Sequence, residues 1–246
     1  ICRPHPSRRS QSLQSRRLPS QTMSDDIHDL LVLFLKCFLF TVLKIRGVYP
    51  EDSFKRQQVL GHLAWWSTCP EVDEYVSALC ESLRPAICRY RLRRLLVPIL
   101  GVNGQLRERY VVEFLAEPQR LAAQGIDEVY HAFRLALVKL EMSPVFLGAN
   151  TAGGIVAQPG AGPEPPPTWC VLTETRAPSV EDAPREEALG PRWDALGARG
   201  REAAGPPGMF LHPLKSITGA AAAGDQGQPV VLNIYVEDAS RALQPH

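Results

Sequence analysis

Four arginines, Arg89, Arg91, Arg93 and Arg94, interleave with Tyr90. Guanidinium groups at that spacing beside a ring can touch phosphate and stack on a base. The same run opens an apolar stretch at Leu95, where charge commonly blunts the edge of a sheet, and the solvated edge is the reading adopted here. Glu186-Glu187 has the composition of an acid/base pair, yet it sits in a Gly/Ala/Pro-rich run where two adjacent carboxylates are simply solvated. His28, His62, His131 and His212 are scattered without metal-ligand spacing. Six cysteines, at 2, 37, 69, 80, 88 and 170, form no C-x-x-C pair, and several fall in apolar stretches, as expected of free thiols. The phosphate-cradling G-x-x-x-x-G-K-[ST], a G-x-G-x-x-G after a strand, the G-x-S-x-G elbow and H-E-x-x-H are all missing. The expected chemistry is therefore binding, with no catalytic residue, no metal and no cofactor.

Charge narrows the partners. With 27 basic and 26 acidic residues, a chain of 246 has no global attraction to nucleic acid or to an anionic membrane. Direct sequence-specific DNA binding is not expected; a partner would bring the chain to DNA. The longest apolar run, Leu30 to Leu43, is broken by Lys36 and Thr41 and falls short of the roughly 20 residues a bilayer needs. Residues 1–22 are Arg- and Ser-rich with no acid before Asp25, like a transit segment, and are expected to be a disordered or non-native extension ahead of a start at Met23.

The elements that must position a binding site follow from periodicity. Ser24-Asp25-Asp26 reads as a helix start, and Ile27 to Val48 is apolar on nearly every side, the mark of a central helix. Residues 51–68 read as a polar connection with an apolar patch at Leu63, Trp65 and Trp66. A second helix starts at Pro70, with Val72, Tyr75, Val76, Leu79 and Leu83 at helical spacing. Leu95–Leu100 and Arg109–Leu115 read as strands joined by Asn103-Gly104, although Pro98 suggests an edge or a bulge. A third helix carries Ile126, Val129, Phe133, Leu137 and Leu140. Residues 149–168 and 176–208 are Gly/Ala/Pro-rich insertions. A strand is expected at Trp169–Thr175, an ordered patch at Met209–Lys215, and a final strand at Pro229–Glu237. In that strand Val230, Leu232, Ile234 and Val236 take the core face, while Val231, Asn233, Tyr235 and Glu237 face out. The sum is an α+β domain with three helices on one face of a mainly antiparallel sheet.

Several segments, taken in order, resemble a known family. Val48-Tyr49-Pro50 with Phe54, Cys69 to Tyr75, Phe133-Arg134 with Val138-Lys139-Leu140, and Pro213-Leu214-Lys215 before Leu232 to Glu237 are similar to the HORMA domain of polymerase zeta accessory subunits. The resemblance covers about 24–238. It implies a core over 24–148 and a C-terminal safety belt over 169–238 that closes over a partner peptide held as an added strand, with 239–246 a tail. Tyr75 and Trp193 match positions that hold the peptide of the polymerase zeta catalytic subunit. Leu211, Lys215, Asn233 and Tyr235 match the surface presented to the C-terminal domain of the translesion deoxycytidyl transferase. Arg134 and Lys139 match the helix used when two HORMA domains pair. The resemblance also implies a HORMA-remodelling ATPase for release, a nuclear and in part cytoplasmic location, and, as an alternative role, a spindle-checkpoint HORMA protein that binds checkpoint activator peptides.

Overall fold

The computed structural model describes residues 19–147, 166–176, 210–218 and 230–238, with backbone alone at 19–26, 146 and 210–212. The first helix, α1 (Pro19–Ile45), explains its own sequence. Phe34, Leu35, Cys37, Phe38, Leu39, Phe40, Val42 and Leu43 are all buried, because other elements cover it on several sides. Phe34 stacks on Phe133 of α4 (Ile126–Leu147) with centroids 4.3 Å apart, and Phe40 meets Trp66 at 4.9 Å. Lys36, which interrupts the apolar run, reaches Glu81 of α2 (Pro70–Cys88) at 3.6 Å. The helix starts five residues before the expected cap, so Ser24 lies inside it; continuous helical backbone won over a local start signal. A single turn, α3 (Gln119–Ala122), leads into α4.

Residues 51–68 are not a mere connection. They form a hairpin of β1 (Phe54–Val59) and β2 (His62–Ser67), paired from Phe54↔Ser67 to Val59↔His62. The turn holds Leu60 at φ 54° and Gly61 at φ 66°, the left-handed pair that a two-residue hairpin loop requires. Lys55 to Gln58 are polar on both faces, which hid the strand from any test of alternation.

The main sheet contains β3 (Leu92–Leu100), β4 (Leu106–Phe114), β5 (Thr168–Trp169), β6 (Leu172–Thr175), β7 (Phe210–Thr218) and β8 (Val230–Asp238). Its order is β5-β3-β4-β8-β7, with β6 also on β3, and every pairing is antiparallel. The β3–β4 hairpin turns at Asn103-Gly104 as expected, with Gly104 at φ 74°. Pro98 does not mark an edge: β3 is internal. Instead, the neighbouring strand breaks opposite Pro98, between Trp169 (paired with Ile99) and Leu172 (paired with Leu96). Proline has no N–H to give, so the ladder there has nothing to hold a continuous partner. Thr168 already belongs to β5 and Arg176 is firmly bonded, so order reaches one residue into each expected insertion.

One face of the sheet closes a single large core with α1, α2 and α4. Phe114, Leu232, Ile234 and Val236 belong to it, as does Val231. The other face has its own small cluster, Leu96, Val111 and Tyr235, with Leu172 against it. Tyr235 is only 7% exposed, which corrects the expectation of an outward tyrosine on an edge. The reason is topological: β8 lies between β4 and β7, so neighbours flank it on both sides.

Candidate functional site

The two edges of the sheet belong to one stretch of chain. After α4 the chain forms the β5–β6 edge and leaves it at Arg176. It returns at Phe210 on the opposite edge as β7, then turns into β8. Crossing from β6 to β7 spans four inter-strand steps, roughly 19 Å at about 4.8 Å each. Residues 177–209, if extended, reach roughly 100 Å. The linking segment is therefore several times longer than the crossing needs.

Among the described residues, no strand pairs with the outer side of β5–β6, so its backbone groups are open to an added strand. Beside that edge three elements converge. Tyr75 projects from α2, 53% exposed, with its ring edge-on to Trp169 of β5 at 5.9 Å and 86°. The Trp169 indole N–H donates to the Tyr49 hydroxyl at 3.3 Å. Tyr49 in turn lies 6.5 Å from Phe54 of β1. Tyr75 shares a stripe with buried Val76 and Leu79, and periodicity alone reads it as a core residue; its exposure follows from a position at the rim of α2 beside the sheet edge. An exposed set of rings of this kind takes a proline or an aliphatic side chain by flat apolar contact.

Trp169 and Tyr49 were not singled out by sequence reasoning. The available signal was a tryptophan that opens a short strand directly after Pro165-Pro166-Pro167. Trp193 lies outside the described residues.

Arg176, also missed, fixes the end of the edge. Its guanidinium lies 3.7 Å from the Tyr90 ring centroid and donates to the Tyr90 carbonyl at 3.2 Å, the Leu92 carbonyl at 2.8 Å and the Tyr90 hydroxyl at 2.9 Å. It also donates to the Phe114 carbonyl, while Arg91 Nε donates to the Arg176 carbonyl at 3.1 Å. Tyr90 sits at φ 52°, a backbone state that turns the chain from α2 into β3 and presents its carbonyl to the arginine. All these partners lie in the core before residue 115, so the segment that follows is tethered whether or not β7 and β8 are docked. The arginine-rich run is thus structural in part: Arg91 serves this tether, and Arg94 pairs with Glu113 at 2.7 Å and Glu174 at 3.4 Å.

The outer-face residues separate. Asn233 accepts a hydrogen bond from the Ser216 hydroxyl at 3.0 Å and lies in register with Glu113 and Ser216. Tyr235 follows on the same face, in register with Val111 and exposed Pro213, flanked by the Arg94–Glu113 and Arg109–Glu237 ion pairs. Burial, and then the Glu113 charge, push the Tyr235 hydroxyl up to about 12, so it remains a neutral donor. A bulge at Pro213–Lys215 puts half-buried Lys215 opposite core residue Ile234, outside the Asn233–Tyr235 alternation. Leu211 is described in backbone alone, paired with Glu237.

Arg134 and Lys139 are both exposed on α4, but five helical residues separate them by about 140° around the axis. Arg134 contacts His131 Nδ1 at 2.9 Å and lines a cavity of about 490 Å³ together with Leu60, Gly61, Asp127, Tyr130 and His131. Lys139 is not part of it.

Comparison with known proteins follows this geometry. No protein-family model matches the sequence. The chain is 23% identical over 130 residues to the zebrafish (Danio rerio) mitotic spindle assembly checkpoint protein MAD2B, covering 52% of this chain and 61% of that protein. It is 22% identical over 120 residues to the DNA polymerase zeta processivity subunit of Arabidopsis thaliana, covering 49% and 56%. The chain thus spans less than two thirds of the curated relatives it matches. Among solved structures, a chain of the mitotic checkpoint complex superposes with a TM-score of 0.62 at 15% identity, covering 86% of this chain and 97% of that one. Caenorhabditis elegans HTP-2 bound to the HIM-3 closure motif superposes at 0.58 and 13%, covering 88% and 92%.

Proposed function

The chain is a HORMA-domain adaptor, similar at low identity to MAD2B and to the polymerase zeta processivity subunit, and we propose that it clamps a peptide of the polymerase zeta catalytic subunit in translesion synthesis. One observation supports this most: the open β5–β6 edge faces the Tyr49, Tyr75 and Trp169 rings, while the chain leaving that edge returns to the far side of the sheet. An extended peptide adds to the edge through its backbone and sets a proline against the rings. Residues 177–209 then cross over it, carrying Trp193, and docking of β7–β8 fastens the crossing. Release requires breaking the β4–β8 ladder and uncovering Leu232, Ile234 and Val236, so it is slow without a remodelling ATPase. The chain itself performs no reaction.

In this reading the outer face around Asn233 and Tyr235, with Leu211 and Lys215 at its margin, receives the C-terminal domain of the deoxycytidyl transferase, and Arg134 and Lys139 serve pairing with a second HORMA domain. The adaptor works in the nucleus in DNA damage tolerance. Titrating the full chain with the catalytic-subunit peptide tests the central point: wild type binds and Tyr75→Ala weakens binding at least tenfold, whereas equal affinities would remove the edge site. Tyr235→Ala should lose the transferase domain and keep the peptide. A checkpoint role is the second reading, favoured by 26% identity over 83 residues to mouse MAD2A. Recovery of checkpoint activators instead of polymerase zeta in a pulldown would establish it.

A further inference from the structure

Two carboxylates occupy positions where their strands otherwise place apolar side chains. Glu108 is in phase with Tyr110, Val112 and Phe114 on β4, and Asp238 is in phase with Leu232, Ile234 and Val236 on β8. The β4–β8 register sets Glu108 directly opposite Asp238. Both are buried, Glu108 at 1% exposure and Asp238 at 0%. The one cation facing them in the core is Arg46, on the turn after α1, whose side chain is fully buried. Arg46 Nε engages both the Glu108 carboxylate and the Tyr110 hydroxyl. Arg107 of β4 also acts on Glu108, while Tyr110 stays neutral because burial, and then the Glu108 charge, raise its hydroxyl far above the ordinary range.

One buried positive charge cannot neutralise two buried carboxylates. Like charges directly opposite on paired strands repel, and an unbalanced charge in a dry core is expensive. A proton shared by the pair removes the excess. Burial pushes the Glu108 carboxyl up to about 7; Arg46 opposes that rise and Asp238 adds to it.

We propose that Glu108 and Asp238 form a proton-binding site assembled when the C-terminal hairpin docks on β4, so that closing takes up one proton from solvent. Asp238 arrives with the hairpin, whereas Glu108 and Arg46 belong to the core. With β8 undocked, β4 becomes an edge strand and Glu108 faces water with Arg46 as a matched partner. Docking buries Glu108 and brings the second carboxylate; the incoming proton bonds to one carboxylate oxygen, and undocking returns it to water. A carboxyl whose affinity for the proton rises on docking favours the docked form at low pH. That advantage is complete below the ordinary carboxylate range and is lost as pH rises through about 7. From pH 8 to pH 6 the docking equilibrium strengthens about tenfold. This deepens the clamp reading, because it rests on reversible docking of the hairpin.

Carbon-13 titration of the side-chain carboxyls in the full chain tests the site. One carboxyl should titrate near neutrality and disappear from that range in Glu108→Gln; ordinary midpoints for both Glu108 and Asp238 overturn the proposal. The linkage is read from the half-life of the captured catalytic-subunit peptide, expected to be about tenfold longer at pH 6 than at pH 8 and flat with pH in Glu108→Gln. Should Glu108→Gln fail to fold, Asp238→Asn serves in its place: Glu108 then matches Arg46 one to one and its midpoint falls back among ordinary carboxylates. A captured peptide whose half-life ignores pH overturns the linkage. A near-neutral midpoint in a chain that captures no peptide leaves the proton site standing and overturns the clamp reading instead.

Discussion

The two edges of the main sheet are held by different physics. The β5–β6 edge is tethered by one arginine whose guanidinium stacks on Tyr90 and donates to carbonyls of residues 90, 92 and 114. The opposite edge is held by a whole apolar strand face, Leu232, Ile234 and Val236, and by the Glu108–Asp238–Arg46 charges beneath it. A directional polar tether fixes a strand in place and leaves its outer side free to receive a partner. An apolar zipper is non-directional and gains its stability from many residues together, so it can form and dissolve as a unit. The contrast assigns receiving to one edge and fastening to the other.

The strongest way to break the contrast is a charge in the zipper. Ile234→Asp buries an unpaired carboxylate and should cost about 3 kcal/mol or more of hairpin docking. Hydrogen exchange should then accelerate across β7 and β8 while α1, whose core is separate, stays protected; equal acceleration in α1 would mean the hairpin and core unfold together. For scale, Phe34→Ala should remove about 3–5 kcal/mol from the whole domain, read as a lowered melting temperature. Next is Arg176→Ala, expected to cost about 2–3 kcal/mol at the receiving edge through lost carbonyl bonds and ring contact. Exchange should rise at 168–176 and leave β8 unchanged, with Arg176→Lys restoring only part, because a point charge cannot reach the same carbonyls at once. Tyr75→Ala sharpens the contrast further: peptide affinity should fall by about 1.4 kcal/mol, a factor of ten, with the melting temperature unmoved because the ring is half exposed. The smallest effect belongs to Arg134→Ala, within about 0.5 kcal/mol on stability for an exposed side chain, with any loss confined to self-association measured by sedimentation.

Much of the scaffold was legible before any coordinates. A helix apolar on all sides can only be central, and Ile27 to Leu43 is. Pro70 at a helix start, Asn103-Gly104 at a hairpin and the alternation of residues 230–236 each report a local backbone requirement, and each appears where expected. The β1–β2 hairpin was hidden because Lys55 to Gln58 are polar on both faces, and its turn uses Leu60-Gly61 in place of the usual asparagine or aspartate before glycine.

The site was legible only in fragments. Tyr75 could be named from resemblance, but Tyr49, Trp169 and Arg176 gained their meaning from elements that meet far apart in the chain. Tyr235 was assigned outward from a correct alternation, and the assignment failed because alternation says which face a residue takes, not whether that face is covered.

By itself, then, the sequence determined what each short stretch must do with its own backbone and apolar side: helix, turn, strand, and which side chains point together. Those are interactions over a few residues, and period and turn chemistry encode them directly. Only the tertiary structure decided which strands became edges, which rings met beside the open one, and that Glu108 would face Asp238 over a single arginine. Those outcomes depend on register between segments more than a hundred residues apart, and no local pattern carries the information that sets it.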